Sequence, residues 1–216
     1  MKTAGAPWQD WTEELLMIEI GPADALIIVD VQNDFLPGGA LAVPDGGSVI
    51  APINALSAGL PFGIVVATQD WHTPDHASFD AQGGPWPSHC VAGSPGAALA
   101  ASLSQSAVAA IIRKGRLKGR DSYSGFLDND HVSETGLSGL LRALGIRRVF
   151  VCGLAYDFCV SATALDAVDL GFGSFVIEDA TQGIGDDLYA IRHRLDDGGV
   201  IRVERASLMA APDDMV

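Results

Sequence analysis

The chain has 216 residues, 48 % hydrophobic and 19 % charged, which is enough apolar material for one domain with a substantial core and too apolar for a disordered chain. Its formal net charge of −14 argues against a nucleic-acid backbone or an anionic membrane as partner.

Residues 1–20 do not fit the pattern that follows. Trp8, Trp11, Leu15, Leu16 and Ile18 predict a short helix or arm packed on the body or on a neighbouring subunit, which suits a homo-oligomer. This stretch lacks the basic-then-apolar order of a secretory signal, and no apolar run approaches membrane-spanning length. The three cysteines, Cys90, Cys152 and Cys159, show no disulfide-rich spacing. A reduced, cytoplasmic protein is therefore expected, with residues 21–216 as a single domain after the arm.

From Ala25 the chain repeats strand, turn and helix. Ala25–Val29 is a buried strand ending at Asp30, Ser48–Leu60 a helix, and Ile64–Ala67 a second strand ending near Asp70. Trp71 to Gly93 is rich in Pro, Gly, His and aromatics, and irregular segments of that length are usually functional. Ser94-Pro95 predicts an N-cap and first turn opening a short Ala-rich helix. Ala107–Ile112 is the third strand, ending at Lys114, and Leu137, Leu140, Leu141 and Leu144 recur at helical spacing before Gly145. The apolar run Val149–Cys152 is the fourth strand. It breaks at Gly153 and continues from Asp157 as a helix. Phe175–Ile177 is the fifth strand, Leu188, Ile191 and Leu195 mark a last helix, and Val200–Val203 is a sixth, edge strand. This alternation predicts an α/β fold: a doubly wound, mostly parallel six-stranded sheet with helices on both faces.

In such sheets ligands bind beyond the carboxyl ends of the strands. The residues just past those ends are Asp30, Asp70, Lys114 and Cys159. Cys159 falls in the first turn of a helix, where free N–H groups and the helix dipole favour thiolate over thiol and could receive an oxyanion. The plain alternative is a buried, inert cysteine. Asp30 abuts an apolar run, where an unpaired carboxylate is costly, so it requires a partner, and Lys114 is the obvious one. An Asp–Lys pair beside a thiol gives a base with its charge balanced. Asp34 reads as a solvated carboxylate, and the basic residues from Arg113 to Arg120, Lys114 apart, as a solvated turn. Asp70-Trp-His72, with His89 further on, supplies three N/O ligands of the kind an open divalent metal site needs, although Asp-x-His alone is weak. His76 reads as a local hydrogen-bonding group and Cys90 as a small buried residue. Phe35, Trp86 and Tyr123 lie on the loops carrying these polar groups and could wall a flat ring, where a single aromatic would be core anchoring.

The motifs Asp30-Val-Gln-Asn-Asp-Phe35, Asp70-Trp-His72 with Gly84-Pro-Trp-Pro-Ser-His-Cys90, Lys114-Gly115 with Tyr123-Ser-Gly-Phe126, and Gly153-Leu-Ala-Tyr-Asp-Phe-Cys159 resemble, in order, those of the nicotinamidases (pyrazinamidases) of the isochorismatase-like hydrolases. The likeness covers about residues 24–205. It implies a metal-dependent cysteine amidohydrolase that deamidates nicotinamide to nicotinate and ammonia through a thioester. It implies an Asp30, Lys114, Cys159 triad and metal ligation by Asp70, His72 and His89, with zinc, manganese or iron all suiting that set and zinc expected first. It also implies a cis peptide at Leu154–Ala155, an oxyanion hole formed by the N–H groups of Ala155 and Cys159, and substrate contacts from Phe35, Trp86, Tyr123, Leu154 and Tyr156. The ring nitrogen is expected to face the metal, directly or through a water. The family usually has Thr where this chain has Tyr156, and its Lys-to-Tyr loop varies in length. Both differences bear on substrate preference, so the same chemistry on another small amide is the competing expectation. A non-catalytic metal-binding module is a third, and it gives Asp30 and Lys114 no reason to face Cys159.

Overall fold

The computed structural model of the protein describes residues 17–185 and 188–211. Its elements in chain order are β1 (Ile18–Ile20), β2 (Asp24–Val29), α1 (Ile50–Gly59), β3 (Ile64–Asp70), β4 (Val108–Lys114), α2 (Leu137–Ala143), β5 (Arg148–Leu154), α3 (Ser161–Asp169), β6 (Gly173–Gln182), α4 (Tyr189–Asp197), β7 (Ile201–Val203) and β8 (Leu208–Ala210). A π-helical turn, Tyr156–Val160, runs directly into α3.

Six strands form a parallel sheet in the order β4-β3-β2-β5-β6-β7. The chain winds outward from β2 through β3 to β4, then crosses back to start the other half at β5. The order therefore reverses between β2 and β5, the switch point at which open α/β sheets bind ligands.

Alternation of side chains along each strand divides the core in two. Leu26, Ile28, Val65, Phe150 and Cys152 point to one face, where they meet Ile53 and Leu56 of α1. Ala25, Ile27, Val66, Val149 and Val151 point to the other, beneath Leu137, Ala164 and Leu195 of α2, α3 and α4. Both faces are covered, so β2 reads as an uninterrupted buried run. Arg148 braces the start of the sheet, with Nε and Nη2 donating to the two oxygens of Asp24 at 2.6 and 2.7 Å.

Four features depart from the sequence reading. No helix follows Ser94-Pro95: the Ser94 hydroxyl does accept the Ala97 N–H at 3.2 Å, but the next turn does not form. The Ala97 carbonyl is taken by Gln32 and Gln69, and that of Ala98 by the Asn33 N–H, so tertiary bonds override local propensity. The fifth strand, β6, is far longer than Phe175–Ile177. The first two residues of Ser48–Leu60 belong to a 3₁₀ turn, Gly46–Val49, and the α-helix begins at Ile50. A second, two-stranded parallel sheet joins β1 to β8, so Ile18–Ile20 belong to the body. The rest of the expected arm, through residue 16, lies outside the described residues.

Candidate active site

The four residues singled out at the strand ends converge. Lys114 closes β4, Asp70 closes β3, Asp30 follows β2 and Cys159 follows β5, so adjacent strands deliver all four. Lys114 is their hub and is 1 % exposed. Its Nζ lies 2.8 Å from Asp30 Oδ2 and 2.5 Å from Asp70 Oδ1, and it donates to the Ser122 carbonyl at 2.8 Å and to Cys159 Sγ at 3.4 Å. Asp30 adopts φ +49°, a conformation costly for a non-glycine residue. It is held by Thr68, whose hydroxyl donates to Asp30 Oδ1 at 2.6 Å and accepts the Asp30 N–H at 3.2 Å. Asp30 Oδ2 is an ion-pair partner of Lys114 but takes no aligned hydrogen bond, which leaves it a lone pair for the proton of the neighbouring thiol.

Gly153 explains the break in the apolar run before the nucleophile. At φ +114° any Cβ would sit 2.2 Å from the Val29 carbonyl oxygen, so β2 and β5 approach this closely only with glycine there. The Leu154–Ala155 peptide bond is cis. Cys159 sits in the π turn and is 7 % exposed.

The electrostatics correct the expectation of a favoured thiolate. Burial pushes the Cys159 thiol well above its ordinary pKa, and Lys114 opposes this without reversing it. The reason is a count of charges: the Lys114 ammonium already faces two buried carboxylates, so a resting thiolate would add a third anion. Burial raises Asp30 as well. It acts against the ammonium of Lys114, but Asp30 and Asp70 outweigh it and hold Lys114 well above its usual range. Burial likewise acts to raise Asp70, yet Lys114, with His72 and His89, brings it below the usual carboxylate range. The resting site therefore pairs the Lys114 ammonium with the Asp70 carboxylate and sets a neutral thiol beside Asp30.

Asp70, His72 and His89 bring their ligand atoms within 4.8 Å of one another. His72 Nδ1 lies 2.9 Å from the Gly115 carbonyl and His89 Nδ1 2.7 Å from that of Pro87. A carbonyl only accepts, so each Nδ1 carries the proton and each Nε2 keeps its lone pair. Those nitrogens face Asp70 Oδ2 at 3.4 and 3.9 Å. His72 Nε2 is buried with no hydrogen-bond partner, which fits a metal ligand. One carboxylate and two imidazoles suit a divalent ion of borderline hardness. Gly115 packs so closely on the His72 ring that a Cβ would meet Cε1 at 2.5 Å. His76 stacks on His72 with centroids 4.1 Å apart, but its own nitrogens contact Ser78 Oγ at 2.7 Å and the Arg120 carbonyl at 2.9 Å. It is the local hydrogen-bonding group read from the sequence.

A cavity reaches both centres and is lined by Asp70 and His89 and by Ala155 and Cys159. Phe35, Trp86 and Tyr123 line it, with Trp86 Nε1 donating to the Tyr123 hydroxyl at 3.3 Å. Leu154 and Tyr156 do not line it. Tyr156 is 2 % exposed and its hydroxyl donates to Glu178, because the turn points its ring into the core.

Sequence reasoning missed several residues. Phe158 lines the cavity and meets Trp86 and Tyr123 edge-on, at 5.1 and 5.6 Å between centroids; its place beside Cys159 was the available signal. Asp121 and Ile184 line it too, and nothing local marks them. Asp34 is not merely solvated: its Oδ2 accepts the Cys90 N–H at 2.7 Å, fixing the chain just after His89. Gln32 is fully buried and clamps Asp70, with Oε1 accepting the Asp70 N–H at 2.8 Å and Nε2 donating to the Asp70 and Ala97 carbonyls at 2.9 Å each. Gln32→Met keeps the volume and strands those groups. It is expected to destabilise the protein by about 1–3 kcal/mol in urea unfolding, whereas an unchanged midpoint would show the clamp to be dispensable.

The chain is similar to known proteins over most of its length. The model of the isochorismatase domain matches residues 24–197. A nicotinamidase of Acinetobacter baylyi is 44 % identical over 176 residues, covering 74 % of this chain and 81 % of its own. Among solved structures, PnC1 from L. infantum in complex with nicotinate superposes with a TM-score of 0.88 at 48 % identity, covering 91 % of this chain and 100 % of its own. A pyrazinamidase of Pyrococcus horikoshii in complex with zinc gives 0.75 at 40 % identity, covering 85 % and 99 %.

Proposed function

Because the chain belongs to the isochorismatase domain family, we infer that it is an amide hydrolase that deamidates nicotinamide to nicotinate and ammonia. The observation that carries this reading is the contact of Lys114 with Asp30, Asp70 and Cys159, the last two of which line an aromatic-walled cavity.

In this reading Asp30, Lys114 and Cys159 are the catalytic residues. Asp30 takes the thiol proton as the sulfur bonds to the carboxamide carbon. The carbonyl oxygen becomes the tetrahedral oxyanion and is received by the N–H groups of Ala155 and Cys159, each such donor being worth about 3–4 kcal/mol in comparable sites. Asp30 passes its proton to the departing nitrogen and ammonia leaves. Water then cleaves the thioester, giving nicotinate and restoring the thiol. Lys114 holds the Asp30 carboxylate in place and balances charge as the sulfur turns anionic. Phe35, Trp86, Tyr123 and Phe158 grip the ring and keep water from the thiol.

Asp70, His72 and His89 would hold a divalent ion, and zinc is the cation we assign, since the similar pyrazinamidase was solved with it. When bound, it supplies a Lewis acid beside the cavity that attracts a ring nitrogen. His72→Ala is expected to abolish stoichiometric metal and raise KM for nicotinamide by about 10-fold or more; unchanged metal content on elemental analysis would refute the ligand assignment. The reading as a whole is tested by ammonia release from a panel of small amides alongside that analysis. Nicotinamide should be turned over best. Release only from aliphatic or carbamoyl compounds would move the substrate, and release from none would end the reading.

A further inference from the structure

A side chain that the mechanism leaves unused ties the nucleophile turn to the far half of the sheet. Tyr156 opens the π turn, next to Ala155 and three residues before Cys159. Its ring lies in the core cluster shared by Cys159 and Val160, and its hydroxyl donates to Glu178 Oε1 at 2.7 Å. Glu178 comes from a bulge in β6: Val151 pairs with Val176 and Gly153 with Thr181, so Ile177 to Ala180 stand opposite Cys152 alone. Bulges of this kind re-aim a side chain, and they are over-represented near active sites. The same carboxylate oxygen receives Arg192 Nε of α4 at 3.1 Å and Arg202 Nη1 of β7 at 3.0 Å. Arg202 is in turn gripped by both oxygens of Asp196, at 2.8 and 3.1 Å. The phenol is thus fastened to a charged anchor built from β6, α4 and β7, whose residues named here do not line the cavity.

We propose that Tyr156 is a positioning residue for the oxyanion hole, its bond to Glu178 fixing the backbone at Ala155 and hence the direction of the Ala155 N–H. The Ala155 carbonyl accepts the N–H groups of Phe158 and Val160 at 3.1 Å each, so Ala155 and the turn move together. Tyr156 is bonded directly to Ala155, and a charge-assisted hydrogen bond at 2.7 Å limits its rotation. Stabilisation of an oxyanion depends on where the donor points, and small angular errors erode it. This inference rests on the reading of Cys159 as a nucleophile.

Tyr156→Phe removes one oxygen and leaves Glu178 paired with both arginines. The probe is pyridine-3-carbaldehyde. Cys159 Sγ bonds to its carbonyl carbon, the C=O π bond opens, and the thiol proton ends on the resulting hemithioacetal oxygen by way of Asp30. That tetrahedral oxygen occupies the hole, whereas planar nicotinate makes no such demand. The substitution is expected to weaken the aldehyde at least about threefold and to lower kcat for nicotinamide by the same factor, with KM and nicotinate affinity unchanged. Glu178→Ala should behave alike, the double variant should be no worse than either single one, and Glu178→Gln, which keeps an acceptor without its charge, should fall between the parent and Glu178→Ala. Aldehyde affinity within about threefold of the parent, or an equal loss of aldehyde and nicotinate affinity, would overturn the proposal. The aldehyde arm needs only the thiol and the cavity, so it decides on Tyr156 even where the parent releases no ammonia and the nicotinamide reading fails.

Discussion

Cys159→Ala is expected to lower kcat by at least about 10³-fold while the protein keeps its metal and still binds nicotinate. The substitution deletes the sulfur that, in this reading, bonds the carboxamide carbon, and neither of the other two cysteines offers a replacement. Cys90 and Cys152 are buried and do not line the cavity. Burial drives the Cys90 and Cys152 thiols further from ionisation. Water activated by Asp30 could still reach a bound amide, and with an intact oxyanion hole it accounts for the small residue of activity such variants show. The fold should tolerate the change, since alanine removes a neutral thiol and leaves the Lys114 ammonium with Asp30, Asp70 and the Ser122 carbonyl. Ammonia release, elemental analysis and calorimetry with nicotinate measure the three quantities. Retention of more than about 1 % of kcat would exclude a covalent route as the main one.

The central strands β2, β3 and β5 could be read from the sequence because each is an apolar run covered on both faces, whereas β1 and β8 are short and pair only with each other. Their order could not, since nothing local to β5 records that it lies against β2 and not β4. The polar frame of the site was hidden for the same reason. Thr68 and Gln32 acquire their roles only when β3 is laid beside β2, which puts the Thr68 hydroxyl against Asp30 and the Gln32 amide against the Asp70 backbone. Tyr156 stood out as unusual, yet its orientation depends on a bulge in β6 some twenty residues further on. The ionisation of Cys159 is not legible because a helix N-terminus is visible in a sequence, whereas the burial of the thiol and the two carboxyl groups that already share Lys114 are not. Asp30 and Lys114 could be paired beforehand because an isolated buried charge of either sign is prohibitive.

That same pairing makes Lys114→Met the substitution with the largest expected effect on stability, about 3–5 kcal/mol. Methionine keeps much of the stem volume but removes the ammonium that sits between Asp30 and Asp70, so two carboxylates remain buried beside a thiol. The sign of the pH dependence follows. In the parent, Asp70 is held below the usual carboxylate range against the pull of burial, so its contribution to stability is present above the unfolded pKa of about 3.9 and fades as pH falls through the folded value. Without Lys114, only Thr68 still opposes burial at Asp30 and only His72 and His89 oppose it at Asp70, so both carboxyls move up. The variant is then most stable where they are protonated and loses stability as pH rises. Urea unfolding in the presence of a chelator, which keeps a cation from standing in for the ammonium, should show a deficit that is larger at pH 8 than at pH 5. Turnover should fall at the same time by at least about 10²-fold, since Asp30 loses both its anchor and its charge balance. A deficit that shrinks with rising pH, or stays under about 1 kcal/mol as for an exposed ion pair, would show that the buried carboxylates are stabilised by something other than Lys114.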